Sequence, residues 1–416
     1  MQFVVLGNGI AGITAASTIR RFKKEASITI VTKEPYPAYS ACILPNYLSG
    51  EIDKKGVFIK DFSDYSRDHI RLILSQKAVA IDVDRRNVLL ESEKIKYDKL
   101  IVSTGSQPII PTIKGIDKKG VFTFKSLDDV VNICNWNGQT VAVVGSGPIG
   151  VEASIALKQR GCEVFLIELL DRILPQVFDD DAASLIKNIL ESHGICVLTH
   201  ESVIEIMGTN IVHGVITDRR IVKCDAVILA TGMKPENDLV GGVLERGEFG
   251  GITVDDRMGT NIQDVFACGD CIEAQSLIDG KPALSLLWHN ARWQGEVAGS
   301  NAAGVPRKYA GSLNITGVNV FGAQAVSIGS IADDRGFDAI EIKRDEAYVR
   351  LVLSNGLLIG IQSINWCENL GPFLATILRK EKINPCKEAT PLESLSTRDF
   401  RYFPFGQKLW SRAHTK

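Results

Sequence analysis

No apolar run in this sequence approaches the ~20 residues that a membrane-spanning helix requires. The start carries no basic segment, no long apolar stretch and no small-residue cleavage site. Met1-Gln2-Phe3-Val4-Val5-Leu6-Gly7 reads as a strand beginning at the first residue, so no signal peptide is expected. Net charge is nearly absent, at −2, and no overall field would draw nucleic acid or an anionic membrane surface. The nine cysteines lack framework spacing, which argues against a disulfide scaffold, and without a secretion signal most should be reduced. Cys268-Gly269-Asp270-Cys271 has no second pair with which to complete a zinc or iron–sulfur site, so no metal is expected and the two thiols read as structural. What remains is a globular chain, expected to be cytoplasmic, whose length suggests two to three domains at ~150 residues each.

The most informative feature is a repeat at domain scale. Phe3-Val4-Val5-Leu6 runs into Gly7-Asn8-Gly9-Ile10-Ala11-Gly12 and then a small-residue stretch, Ile13 to Ile19. Val141-Ala142-Val143-Val144 runs into Gly145-Ser146-Gly147-Pro148-Ile149-Gly150 and a second such stretch, Val151 to Leu157. Each is followed by another strand pattern, Ser27 to Val31 and Glu163 to Ile167. In such a turn the first glycine permits the tight bend, the second lets backbone approach a pyrophosphate, and the third lets helix and strand pack closely. The helix start then offers unpaired N–H groups and a partial positive charge to phosphate. Two matched copies predict two dinucleotide-binding units.

A second repeated signal follows each copy. Tyr97 to Gly105 and Cys224 to Gly232 both read as a buried strand ending in Thr-Gly, followed by Ser106-Gln107-Pro108 and Met233-Lys234-Pro235. These look like exit strands where the chain crosses between units. Further on, Gly251 to Asp255 and Asp264 to Asp270 return to strand-like patterns, and Tyr348 to Leu353, Asn355-Gly356 and Leu357 to Ile361 read as a hairpin. Gly371 to Lys380 reads as a helix. The predicted class is α/β: a discontinuous first Rossmann-type unit (1–112 and 246–313), a second (113–245), and a C-terminal α+β domain (314–416).

With these five ordered motifs, the chain resembles the FAD-dependent pyridine nucleotide-disulfide oxidoreductase superfamily over essentially its whole length. The resemblance implies that the first glycine turn holds FAD and the second NAD(P)H, that Asp270 bonds the FAD ribityl chain, and that the segment from Leu286 to Gly295 is a helix facing the flavin. His289 on that segment reads as structural. The cofactor-binding set is then Gly7, Gly9, Ile10, Ala11, Gly12, Glu34, Ser40, Thr104 and Gly105, with Gly269, Asp270 and Ala291, and, around the second turn, Gly145, Gly147, Ile149, Gly150, Glu168, Thr231 and Gly232. Glu168, at the end of the second strand, suits a ribose 2′-OH and would repel a 2′-phosphate, favouring NADH over NADPH. Arg172 lies near enough to complicate that reading. Glu34 is the corresponding acid in the first unit, with Thr32 as the alternative.

The segment Tyr36 to Gly50 carries one cysteine, Cys42, in place of the paired Cys-x-x-x-x-Cys of the glutathione-reductase-like enzymes. The order Ser40, then Cys42-Ile43-Leu44-Pro45, resembles the coenzyme A disulfide reductase and NADH oxidase branch, in which the single cysteine is redox-active. Pro45 fits the first turn of a helix, whose positive end is expected to lower the Cys42 pKa. Other features, the Trp288 segment and Gly371-Pro372, resemble the nitrite-reductase-like and rubredoxin-reductase-like members, in which this cysteine is incidental. Two readings stay open. In the first, NADH reduces the flavin with Glu152 near the nicotinamide, and Cys42 passes electrons to a small-molecule disulfide or oxidant. In the second, the chain is an electron-relay subunit for an iron–sulfur or rubredoxin-type protein. A homodimer is expected through the third domain. The basic run Arg20, Arg21, Lys23 and Lys24 reads as a helix C-terminus favoured by the macrodipole, or as a coenzyme A phosphate site.

Overall fold

The computed structural model describes residues 1–331, 337–344, 347–366 and 369–382; Cys367 and Cys386 lie outside the described residues. In the first unit five parallel strands lie in the order Val265–Ala267, Lys99–Val102, Gln2–Leu6, Ser27–Val31, Ile70–Ile73. In the second the order is Ile195–Leu198, Glu163–Ile167, Thr140–Val144, Ala226–Leu229, Val121–Thr123, again parallel throughout. The near-continuous apolar runs that form these strands are buried because helices or loops cover both sheet faces. Each unit also carries a small three-stranded antiparallel sheet, Ala78–Lys96 in one and Val203–Val222 in the other. The α/β class with two Rossmann-type units is therefore observed.

The two Thr-Gly exits meet. Ser106–Pro108 pairs antiparallel with Met233–Pro235, so the outgoing and returning connections form one two-stranded ribbon. Thr104 donates its hydroxyl to Glu236 O at 2.7 Å, and Thr231 donates to Ile109 O at 2.8 Å, each tying one exit to the other connection.

After the return, helix Trp288–Ala302 packs along helix Ile10–Phe22. Gly295 and Gly299 make that approach possible: a Cβ on either would fall 2.3 Å from Ala11 O or 2.6 Å from Ala15 O. The C-terminal part is an antiparallel five-stranded sheet, Ile315–Val320, Ala323–Gly329, Leu357–Ile364, Ala347–Ser354, Asp338–Arg344, with helix Gly371–Arg379 against it. Its central hairpin turns through Asn355 and Gly356, both at positive φ (52° and 77°), the left-handed pair of a tight two-residue turn.

One core crosses the sequence-drawn boundaries. Leu44, Leu48 and Val57, from the first stretch of chain, are buried together with Val151, Ile155 and Val164 of the second unit and with Val318 and Val320 of the C-terminal sheet.

Candidate active site

A cleft of about 3820 Å³ runs from the first glycine turn, past residues 36–46, to the second turn, with the strand Ile315–Val320 as part of its wall. The two turns are built alike. Gly7 (φ 105°) and Gly145 (φ 101°) sit where a Cβ would strike the carbonyls of Ser103 at 2.1 Å and Ala230 at 2.4 Å. Gly12 and Gly150 would strike their own turn's first carbonyl at 2.1 and 1.9 Å. Gly9 and Gly147 differ: both line the cleft, and no atom lies within 4 Å of where a Cβ would be. The fold does not need glycine at these two positions, but a ligand drawn close to the backbone does.

Helix ends support the same view. Helices Leu127–Cys134 and Asp180–Ser192 start under side-chain caps from Ser126 and Asp179. Ile10–Phe22, Pro148–Gln159 and Trp288–Ala302, which open onto the cleft, begin at Gly9, Gly147 and Leu287 with no side-chain cap. The N–H groups of their first turns, from Ile149 on in the second because Pro148 has none, are left for another acceptor, as a phosphate or a ring carbonyl requires. The residues present fit two dinucleotides.

All the residues assigned to cofactors line this cleft except Gly12 and Gly150, which stand behind it and pack helix to turn. Glu168 ends its strand buried, with Oε2 accepting from Ser146 N (2.8 Å) and Oγ (2.6 Å) and Oε1 accepting from Leu170 N (2.9 Å). Arg172 turns to Asp180 at 2.6 Å and does not line the cleft, which removes the complication it posed. Glu34 also lines the cleft; burial raises its carboxyl above the usual range, against the hydrogen bond from Tyr39.

Asp270 was expected, its neighbours were not. Ser106 donates to Asp270 Oδ2 at 2.7 Å, and Lys125 Nζ lies 3.5 Å from the same oxygen and 3.0 Å from Ser106 Oγ. Lys125 follows strand Val121–Thr123 of the second unit yet reaches the late segment of the first. Gln294 accepts from Gly269 N at 2.9 Å and fixes that backbone. Lys125 belongs to no motif; Gln294 lies in the Leu286–Gly295 segment, but nothing there marked it as the partner of Gly269. His289 bonds Leu313 O at 2.7 Å, and burial keeps its ring below its ordinary pKa, in line with a structural role.

Cys42 lies in the turn Ala41–Ile43 just before helix Leu44–Ser49, with Pro45 in its first turn as expected. The expected lowering of its pKa is overturned. Cys42 is exposed on the cleft, but the cleft walls crowd its thiol; that crowding, then the charges of Glu152 and Asp270, push it up to about 11, against the smaller pull of Lys125 and a hydrogen bond with Ser40. The opposing carboxylates come from chain more than a hundred residues away. Glu152 itself is raised to about 7 by burial alone.

The Arg20 guanidinium donates to the carbonyls of Asp68, Lys23, Lys24, Ala26 and His69, which leaves it no part in a phosphate site. Cys268 and Cys271 are fully buried, and the Cys271 thiol points to Cys268 O at 3.3 Å. No helix among the described residues is long and apolar enough to cross a membrane.

The sequence profile of the pyridine nucleotide-disulphide oxidoreductases matches residues 1–295. The chain belongs to that family. It is 36% identical over 327 residues to an NADH oxidase of Methanocaldococcus jannaschii, covering 76% of this chain and 72% of that one. It is 29% identical over 398 residues to the assimilatory nitrate reductase electron transfer subunit of Bacillus subtilis, covering 93% of this chain but spanning only half, 50%, of that relative's length. Among solved structures, the NAD-dependent persulfide reductase of A. fulgidus superposes with a TM-score of 0.85 at 29% identity, over 92% of this chain and 77% of that one. This member, too, is an FAD-dependent oxidoreductase using a nicotinamide cofactor.

Proposed function

We propose that this chain takes reducing equivalents from NADH and delivers them to a small-molecule disulfide or related sulfur compound, with Cys42 as the reacting thiol. When bound, FAD supplies the two-electron acceptor for the NADH hydride and the donor for the next step. The chain's own residues do the holding. Gly7 to Ala11 and the start of helix Ile10–Phe22 receive the FAD pyrophosphate, and Asp270, set by Ser106 and Lys125, receives its polyol. Gly145 to Ile149 receive the second pyrophosphate, and Glu168 a ribose 2′-OH, a carboxylate that would repel a 2′-phosphate.

The single observation that carries this reading is the pair of cleft-facing glycines, Gly9 and Gly147, each at an uncapped helix start, with Cys42 on the wall between them. The proposed setting is cytoplasmic, where such thiols stay reduced, and the proposed assembly is a homodimer through the C-terminal sheet. The relay reading keeps two supports: a relative named as an electron transfer subunit, and a thiol whose pKa is raised rather than lowered.

An anaerobic NADH titration of the flavin-loaded protein separates the two. In protein first incubated with a small disulfide and freed of excess, so that Cys42 carries a mixed disulfide, the disulfide reading expects about four electrons taken up per chain, two by FAD and two in breaking the S–S bond, falling to about two in Cys42→Ser with FAD retained. Uptake of about two in both proteins, with Cys42→Ser reducing a disulfide as fast as wild type, removes the cysteine from the reaction and leaves the relay.

A further inference from the structure

One face of the C-terminal sheet carries two neighbouring rows of opposed side chains. The apolar row, Tyr348, Ile364, Ala325 and Val318, is buried with Val151 and Ile155 of helix Pro148–Gln159 and with Leu44, two residues beyond Cys42. The row beside it is polar. Arg350 stands opposite Gln362, Gln362 opposite Ser327, and Ser327 opposite Thr316. Residues directly across an antiparallel ladder point to the same side, with Cβ atoms about 4.5–5.5 Å apart. The polar row therefore runs from Asp179 of the second unit, to which Arg350 donates, to the cleft, which Ser327 and Thr316 line.

Its far end is saturated. Asp179 Oδ2 accepts from Tyr348 OH at 2.6 Å and from Arg350 Nη1 at 3.0 Å, and Arg350 Nε lies 3.5 Å from Glu341 Oε1. The cleft end is not. Gln362 is fully buried, and its Oε1 accepts from Asp179 N at 2.8 Å, which fixes the orientation of the amide. Its Nε2 is a buried donor with no partner among the described residues. Ser327 is 6% exposed, and neither its hydroxyl nor that of Thr316 bonds to the described residues. Buried polar groups are as a rule satisfied. Apolar side chains would serve the fold equally well there, as the neighbouring row shows.

Resting on the reading of the cleft as a site for a sulfur acceptor, we propose that Thr316 and Ser327, backed by Gln362, form the seat of that acceptor. The acceptor they select is a disulfide with a neutral oxygen, a hydroxyl or an amide carbonyl, near its S–S bond. The seat is well placed for it. Asn314, two residues before Thr316, approaches Ser285 at 3.5 Å, just ahead of helix Trp288–Ala302. Val318, two residues after, packs into the core that holds Leu44 beneath Cys42. The Ser327 hydroxyl can accept from Gln362 Nε2 while donating its own proton into the cleft, and Thr316 donates beside it. An oxygen with two lone pairs takes both. A plain alkyl group leaves these donors unpaired, which is the costly outcome. An ionised phosphate or carboxylate gains nothing from Arg350, which two carboxylates already hold.

The test follows NADH consumption by flavin-loaded protein without oxygen, with bis(2-hydroxyethyl) disulfide or diethyl disulfide as probe. Wild type should show a KM lower by about fivefold or more for the hydroxyl-bearing probe, a requirement independent of any variant's folding. Ser327→Ala and Thr316→Val should each raise that KM about fivefold, and should move the KM for diethyl disulfide by less than about twofold. Flavin reduction by NADH in a single turnover should also stay within about twofold, which a loosened sheet would not allow. Equal KM values for the two probes in wild type, or variants that raise both alike or neither, overturn the seat. Wild type that turns over neither disulfide overturns the acceptor reading and the seat with it, a distinct failure.

Discussion

Lys125 Nζ and Asp270 Oδ2, 3.5 Å apart and both in contact with the Ser106 hydroxyl, join two stretches of chain that are 145 residues apart and belong to different nucleotide-binding units. Lys125→Met would leave the Asp270 carboxylate with Ser106 as its polar partner. The expected cost is about 1 kcal/mol in global stability, as for one charge-assisted contact that is partly exposed. A larger effect is expected on FAD retention, read as the flavin-to-protein absorbance ratio after dialysis. A variant that holds flavin as wild type does would show that Lys125 is not part of the cradle.

The glycines divide into two kinds, and substitution should separate them. Gly7→Ala and Gly145→Ala force a Cβ onto a carbonyl from a left-handed backbone, and each should lose about 2–4 kcal/mol in chemical denaturation. Gly9→Ala and Gly147→Ala meet open space at ordinary φ (−74° and −63°) and should fold within about 0.5 kcal/mol of wild type. Their loss is expected in binding: flavin for Gly9→Ala, and a KM for NADH raised about tenfold or more for Gly147→Ala. Equal denaturation curves for all four variants would refute this division.

Ser146 holds Glu168 through both its N–H and its hydroxyl. Ser146→Ala removes the hydroxyl bond alone, worth about 1 kcal/mol, and should raise the KM for NADH about fivefold. Glu168→Ala should go further and narrow the preference for NADH over NADPH, measured as the ratio of kcat/KM values. If the ratio is the same in Glu168→Ala and wild type, another residue reads the ribose.

Stability should also carry the mark of Glu152. Its folded-state pKa lies above the unfolded value, 4.5 rising to about 7, so the folded protein binds the proton more tightly. That contribution is fully present below about pH 4.5 and is lost as pH rises through about 7. In flavin-free protein at pH 8, Glu152→Gln should therefore be more stable than wild type by about 1–2 kcal/mol, with little difference at pH 5. Thermal unfolding at the two pH values measures it, and a variant destabilised at pH 8 would contradict the buried-acid account.

What could be read from the sequence was what the backbone imposes. Gly7 and Gly145 are dictated by a left-handed bend and a carbonyl at van der Waals contact, and such constraints write themselves as glycine within a few residues of a strand. The Asn355-Gly356 hairpin was legible for the same reason. Lys125 was hidden because its partners, Ser106 and Asp270, are brought to it only by the crossing ribbon and the late return of the chain. The Cys42 environment misled because a helix start is a local property, whereas crowding by the cleft walls and the charges of Glu152 and Asp270 are tertiary ones and prove the larger. Arg20 shows the same limit: a basic residue at a helix end gave no hint that five carbonyls already claim it.

Leu44 and Leu48 drop their side chains into the second unit's interior, each worth about 2 kcal/mol of burial. The thiol at Cys42 thus rides on a platform anchored to the nicotinamide side of the molecule, although its segment precedes that side in the chain. A fragment cut to keep only the flavin-side stretches would retain the Gly7 turn and expose two leucines to water. The cysteine would then have no fixed address. Mutations that loosen the floor at Val151 or Ile155 should be felt first as wandering of the sulfur, well before either cofactor loses its seat.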